Sequence, residues 1–123
     1  MHKAELEHYL NNLKGAEASY PFGPEALVHK VMGKMFALVS QLDAEPSVTL
    51  KVLPANGEVL VDQFSAIIPG YHMNKRHWIT VTLDRDVPSG MLQDLADQSY
   101  ELVVSKLTKI QQLALQQLVH VED

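Results

Sequence analysis

The sequence has no cysteine, a single tryptophan, and only ten Lys and Arg against fifteen Asp and Glu. Without thiols, disulfides, thiolate metal centres and cysteine nucleophiles are excluded. A formal charge of −5 argues against tight non-specific nucleic-acid binding, which needs many cations to displace phosphate counterions. Any role on DNA would have to come from a local basic patch. No apolar run approaches the roughly 20 residues that span a bilayer. The start, Met1-His2-Lys3-Ala4-Glu5-Leu6-Glu7, lacks the apolar core of a secretory signal. The expectation is a cytoplasmic protein with no membrane association. Neither G-x-G-x-x-G nor G-x-S-x-G occurs, so dinucleotide-binding and hydrolase-elbow chemistry have no support. Gly33-Lys34 lacks the first glycine and the Ser/Thr of a phosphate loop and reads as a turn.

What is present is ordinary globular material: 123 residues, 46% hydrophobic and 20% charged, enough for one domain. Residues 1–107 are expected to form it, with 108–123 as a C-terminal helical extension. Leu6, Tyr9, Leu10 and Leu13 make an apolar stripe at helical spacing over about 3–13, which Gly15 stops. Ser19 to Pro24 is broken by proline and glycine. Leu27–Met32 and Met35–Ser40 read as a hairpin about Gly33-Lys34, with Gly in the first place of a type II′ turn. Ser47–Leu53 alternates as a half-buried strand. Residues 54–66 are ambiguous: Asn56-Gly57 suggests a hairpin, Leu60 and Phe64 a short helix. Ile67–Tyr71 reads as a loop.

Trp78–Leu83 alternates cleanly, with Ile79, Val81 and Leu83 on one face. Pro88-Ser89 opens a helix to about Lys106 that buries Leu92, Leu95, Ala96, Ser99, Leu102 and Val103, with Ser89 available as a cap. Ile110, Leu113, Ala114 and Leu118 predict a further amphipathic turn or two with Gln outside, and 119–123 are expected to fray. The order implies an α+β fold: an antiparallel β-sheet with the N-terminal and long C-terminal helices packed on one face. The other face would present Thr49, Lys51, Trp78, Thr80 and Thr82 openly.

Six histidines raise the question of a metal, but none are paired as His-x3-His. His72 and His77 have Lys75 and Arg76 between them, which disfavours a divalent ion. Asp84 and Asp86 are simplest as turn residues, and Asp94, Asp97 and Glu101 as a solvated helix stripe. No catalytic pair stands out, and no enzyme activity, cofactor or metal is expected. The one dense feature is Pro69-Gly70-Tyr71-His72-Met73-Asn74-Lys75-Arg76-His77-Trp78. It concentrates cations, imidazoles, an amide and aromatics, the groups that hold phosphate and stack on rings. The plainer alternative is local packing of Tyr71 and Trp78, with Lys75 and Arg76 solvated or paired to Asp84 and Asp86.

These residues also carry a resemblance. Tyr20-Pro21-Phe22-Gly23, Gly33-Lys34-Met35-Phe36-Ala37-Leu38, the block from Pro69 to Trp78, and Ser99-Tyr100-Glu101-Leu102-Val103 together resemble the bacterial YjbR/MmcQ family, over roughly residues 4 to 107. The resemblance implies a frataxin-like (CyaY-like), double-wing fold and tips the ambiguous stretch 55–65 towards a helix. It carries over Tyr20, Pro21, Phe22, Gly23, Lys30, Gly33, Lys34, His72, Asn74, Lys75, Arg76, His77 and Trp78 as signature residues. Two departures show: His29 where an aromatic is more usual, and Lys14 where a proline is common. Family members are commonly labelled DNA-binding.

Three functions follow as expectations. The first is a small DNA-binding module using Tyr71, His72, Asn74, Lys75, Arg76, His77 and Trp78, with Lys30, Lys34 and Lys51 converging on the phosphate backbone. The second is a protein-interaction module using the open sheet face around Trp78. The third is a small-anion binder built on His72, Lys75, Arg76 and His77.

Overall fold

A computed structural model describes residues 1–71 and 73–118. Helix α1 (Lys3–Asn11) precedes four strands, β1 (Ala16–Ser19), β2 (Leu27–Val31), β3 (Lys34–Leu42) and β4 (Glu45–Lys51). Helix α2 (Pro54–Gln63) leads to β5 (Ile67–Pro69) and β6 (Trp78–Thr82), followed by α3 (Ser89–Ser105) and α4 (Lys109–Gln117). The six strands form one sheet in the order β1-β2-β3-β4-β6-β5, every neighbouring pair antiparallel. The fold is α+β.

Register explains the core. Ala37 pairs with Leu50 and Leu50 with Ile79; Val39 pairs with Val48, Val48 with Val81 and Val81 with Ile67. Directly paired residues share a face, so these apolar rows form one buried surface. Leu6 and Leu10 of α1 and Leu92, Leu95 and Ala96 of α3 pack into the same core. Leu60 and Gly57 are the buried residues of α2, and a Cβ on Gly57 would come within 3.0 Å of Val52 and 3.7 Å of Ile79.

The hairpin between β2 and β3 turns one residue earlier than expected. Met32 and Gly33 both have positive φ (48° and 80°), the signature of a type I′ turn on Met32-Gly33 in place of II′ on Gly33-Lys34. β3 carries a bulge: Met35 and Ala37 face consecutive residues Lys30 and His29, leaving Phe36 unpaired. Its ring meets Tyr100 of α3 edge-on, with centroids 5.4 Å apart.

Other expectations are corrected. Ala16–Ser19 is an edge strand, although its residues are poor strand formers. Ile67–Pro69 is a strand paired to β6 and not a loop; proline is tolerated because this strand is the edge. Residues 54–63 form the helix that the resemblance implied. Pro88 occupies the cap position of α3, and Ser89 makes no capping bond. Asp97 is no solvated charge: it accepts the Tyr9 hydroxyl at 2.7 Å and ties α1 to α3. Desolvation and this carboxylate push the Tyr9 phenol up to about 12.

In α4 the buried residue is Leu115, whereas Ile110 (80% exposed) and Leu113 face outward, and Leu118, just past the helix, is partly exposed beside Gly15. Leu115 lies over Gly15, where a Cβ would come within 2.6 Å of its Cδ1. Gln112 also turns inward, donating to the carbonyls of Val104 and Leu107 at 3.1 Å. Residues 119–123 lie outside the described chain.

Candidate functional site

Residues 70–77 are the tip of the β5–β6 hairpin. Gly70 donates its N–H to the Trp78 carbonyl at 2.7 Å, so the loop leaves and re-enters the sheet at one point. Asn74 organises the interior: its side-chain oxygen accepts the Arg76 N–H at 3.0 Å. Its carbonyl accepts the N–H groups of His77 and Trp78 at 3.2 and 3.1 Å. That is an Asx-type turn. The Val52 N–H donates to the His77 carbonyl at 2.9 Å and anchors the loop to the segment after β4.

This frame holds Lys75, Arg76 and His77 exposed, with Trp78 half-buried and Tyr71 exposed beneath them. His72 lies outside the described residues. Trp78 pairs with Lys51 across the sheet, and the Lys51 ammonium sits 5.9 Å from the Trp78 ring centroid, a cation–π distance. Lys51, Asn74, His77, Trp78 and Lys106 line a pocket of about 370 Å³. Among the described residues, no carboxylate lines it. Leu53 and Pro54, where α2 begins, complete its wall. That helix has no side-chain cap and no acid in its first turn, so its partial positive charge faces the pocket uncompensated.

Lys75 and Arg76 turn to a neighbouring groove of about 420 Å³, where Glu58 and Asp62 of α2 are opposite them. Neither cation forms an ion pair with a described residue. Pairing with Asp84 and Asp86 does not occur. Asp84 takes the Met1 ammonium at 2.9 Å and His2 at 3.1 Å, at the far end of the sheet. The ammonium bond, against some desolvation, holds its carboxyl below the usual range. Asp86 accepts from the Ser65 and Ala66 N–H groups at 2.8 and 3.0 Å. Desolvation raises its carboxyl, but these bonds outweigh it and the net shift is downward.

Lys30 and Lys34 flank the Met32-Gly33 turn. The register places that turn at the same end of the sheet as Lys51 and Trp78. They line neither pocket. The loop block, Lys51 and the β2–β3 tip thus share one sheet end but do not close into a single site.

The expected open face is covered at its threonines, while Lys51 and Trp78 are half-buried. Thr49 and Thr80 are buried, with their hydroxyl oxygens 2.8 Å apart, and the Tyr71 N–H donates to Thr80 Oγ1 at 3.0 Å. Ser47 and Thr82 are buried beside them. Hydroxyls that pair with each other and with a loop need no solvent.

Lys106 and the start of α2 were not anticipated. Lys106 was legible in principle: it lies seven residues beyond Ser99, on the helix stripe that faces the sheet. Ser99 itself is buried and accepts the Lys51 N–H at 2.8 Å.

The family model described as YjbR matches residues 11–102. The chain is 36% identical over 115 residues to "Uncharacterized protein YjbR" of Escherichia coli K12, covering 94% of this chain and 98% of that protein. It is 42% identical over 93 residues to "Uncharacterized protein YbdF" of Escherichia coli O157:H7, 76% of each. Among solved structures, a Deinococcus radiodurans protein with a DUF419 domain superposes with a TM-score of 0.84 at 38% identity, covering 97% of this chain and 91% of that one. A Pseudomonas syringae protein gives 0.75 at 26%, covering 83% and 98%. The chain belongs to the YjbR family. Among the described residues, no helix is long and apolar enough to cross a membrane.

Proposed function

We propose that this protein binds DNA through the sheet end that carries the Met32-Gly33 turn and the 70–77 loop. The observation that carries this reading is the pocket of Lys51, His77, Lys106, Asn74 and Trp78, which no carboxylate among the described residues lines, in a chain of net charge −5. Cations placed together without a counter-charge suit phosphate. The start of α2 adds the positive end of its helix dipole, although Pro54 at its first position has no N–H to offer. Lys75 and Arg76 extend the positive edge along the loop, and Lys34 extends it along the neighbouring hairpin. Two hairpin tips at one end supply the wings that the resemblance implied, and Trp78 supplies a ring for a base or sugar to rest on.

Glu58 and Asp62 temper the field beside Arg76, so affinity is modest, in the micromolar range at low salt. Four neutralised phosphates would give a slope of log K against log salt of about −3 to −4. The test is anisotropy titration of labelled single-stranded and duplex DNA across a salt series. Saturable binding with that slope, weakened by Lys51→Ala, is the expected result; no saturable binding at low salt removes the reading. The second reading, a protein partner on the open sheet face around Trp78, keeps Lys51 and Trp78 half-buried but loses Thr49 and Thr80 as contacts, because both are buried.

A further inference from the structure

The pocket between Lys51 and Lys106 offers donors and little else. Its polar side chains are the two ammonium groups, the His77 imidazole, the Trp78 indole and the Asn74 amide. Ammonium and indole nitrogens only donate. The Asn74 side-chain oxygen already accepts the Arg76 N–H, and its amide nitrogen bonds no described residue. Neither ammonium forms an ion pair among the described residues. Lys51 has only the Trp78 ring, 5.9 Å away, and a ring leaves the charge uncancelled. A ligand rich in acceptors and negative charge is therefore the one that fits.

The positive charge is also confined. One adjoining groove shares Pro54 with the pocket, and there Glu58 and Asp62 stand against Lys75 and Arg76. A second, of about 360 Å³, shares Val52, Leu53 and Leu102 and is lined by Glu101. A phosphodiester backbone running on through the first groove gains no net charge, and through the second it meets repulsion. Each diester carries a single negative charge. A phosphate monoester concentrates about −1.5 to −2 on one group at pH 7, which matches two ammonium groups set together. As a terminus it need not continue past the pocket. The volume of about 370 Å³ is at the small end of ligand sites and suits one nucleotide. We infer that the pocket takes a phosphate monoester in preference to a diester, its source being the terminal phosphate of a DNA strand, with the terminal sugar against Trp78. The preference for a monoester stands on the pocket alone; the strand as its source rests on the DNA reading.

Thymidine 5′-monophosphate and its phosphate methyl ester test the pocket apart from DNA, because methylation removes up to about one negative charge and little else. Trp78 is the only tryptophan, so its emission reports occupancy. The monophosphate should change that emission saturably, and the methyl ester should bind about tenfold more weakly. Lys106→Ala alters an exposed side chain and should bring the two ligands close to equal. Lys3→Ala, on α1 at the far end of the sheet, should leave their ratio unchanged. The second arm compares single-stranded oligomers of equal length with a phosphate at the 5′ end, at the 3′ end or at neither. A phosphate at one end should tighten binding by about tenfold in anisotropy titrations, and Lys106→Ala should remove that gain. If the monophosphate outbinds its methyl ester while the oligomers bind alike, or none binds, the monoester site stands with a free nucleotide as its ligand and the strand is overturned as its source. Equal binding of the monophosphate and its methyl ester, or no saturable change with either, overturns the inference even where DNA binds.

Discussion

The Ser99 hydroxyl of α3 donates to the Phe36 carbonyl at 2.6 Å, at the bulge that leaves Phe36 unpaired in the sheet. The same oxygen accepts the Lys51 N–H at 2.8 Å. One buried side chain thus satisfies an acceptor freed by the bulge and a donor at the end of β4. It also fixes the helix that brings Lys106 to Lys51.

Ser99→Ala leaves both backbone groups buried without that partner. The expected cost is about 1–3 kcal/mol, read as a lower urea midpoint with an unchanged slope. A midpoint equal to wild type would mean that the bulge is held by packing of Phe36 against Tyr100 alone.

His29 sits 0% exposed in the core, and neither ring nitrogen has a partner. Desolvation pushes its imidazole down to about 4. In the unfolded chain the ordinary value is near 6.5. As pH falls through 6.5 the unfolded state takes up a proton that the native state refuses until about 4, so stability is lost across that window. The loss amounts to about 3 kcal/mol by pH 4. His29→Phe removes it. The new ring would lie beside Phe36, whose centroid is now 6.2 Å from the imidazole. Urea melts at pH 7, 5.5 and 4.5 should show the variant equal or more stable at pH 7 and much flatter below. Asp84 and Asp86, held below the ordinary carboxylate value, act in a lower window, their stabilisation being lost only as pH falls below about 4. A wild-type slope preserved in His29→Phe would assign the acid sensitivity elsewhere.

Local patterns were legible where one residue's environment decides them. The alternation at Trp78–Thr82 placed β6, and the apolar stripe placed α3. Edge strands were not legible: Ala16–Ser19 and Ile67–Pro69 are strands because β2 and β6 offer them partners. Thr49 and Thr80 looked solvent-facing because a hydroxyl fits a surface as well as a buried pair; the loop that covers them lies twenty or more residues from Thr49 in the chain. The hairpin turn slipped by one residue because Met32, unlike Gly33, gives no hint that it accepts a positive φ. At the site, the exposure of Lys75, Arg76 and His77 was legible in the density of the block. Their division between two pockets was not, since it depends on where α2 and the end of α3 fall.

If the basic sheet end holds phosphates, its cations should register one by one. Lys51→Ala, Lys106→Ala and Arg76→Ala should each weaken DNA binding and reduce the magnitude of the salt slope by about 1. Lys3→Ala, on α1 beside the Met1–Asp84 contact at the far end of the sheet, should change neither. Equal losses for Lys3 and Lys106 would reduce the effect to net charge.

Gly70 offers the sharpest test of the loop frame. A Cβ there would fall 2.7 Å from the Trp78 Cβ, 3.0 Å from the Trp78 carbonyl oxygen and 3.2 Å from the Met73 Cβ. None of these is the free end of a flexible side chain, so the hairpin must open to admit a methyl group. Gly70→Ala should cost about 1–3 kcal/mol as overpacking and stretch the Gly70–Trp78 bond. Trp78 is the only tryptophan, so its fluorescence reports the displacement directly. The emission should shift, and DNA affinity should fall with it as Trp78 and Lys51 separate. Gly90→Ala, in the first turn of α3 with nothing within 4 Å of its Cβ, is the control. It should leave the emission unchanged and raise stability by up to about 1 kcal/mol. An unchanged Trp78 spectrum in Gly70→Ala would show that the loop is not pinned to the strand at this point, and the placement of His77 and Asn74 would lose its anchor.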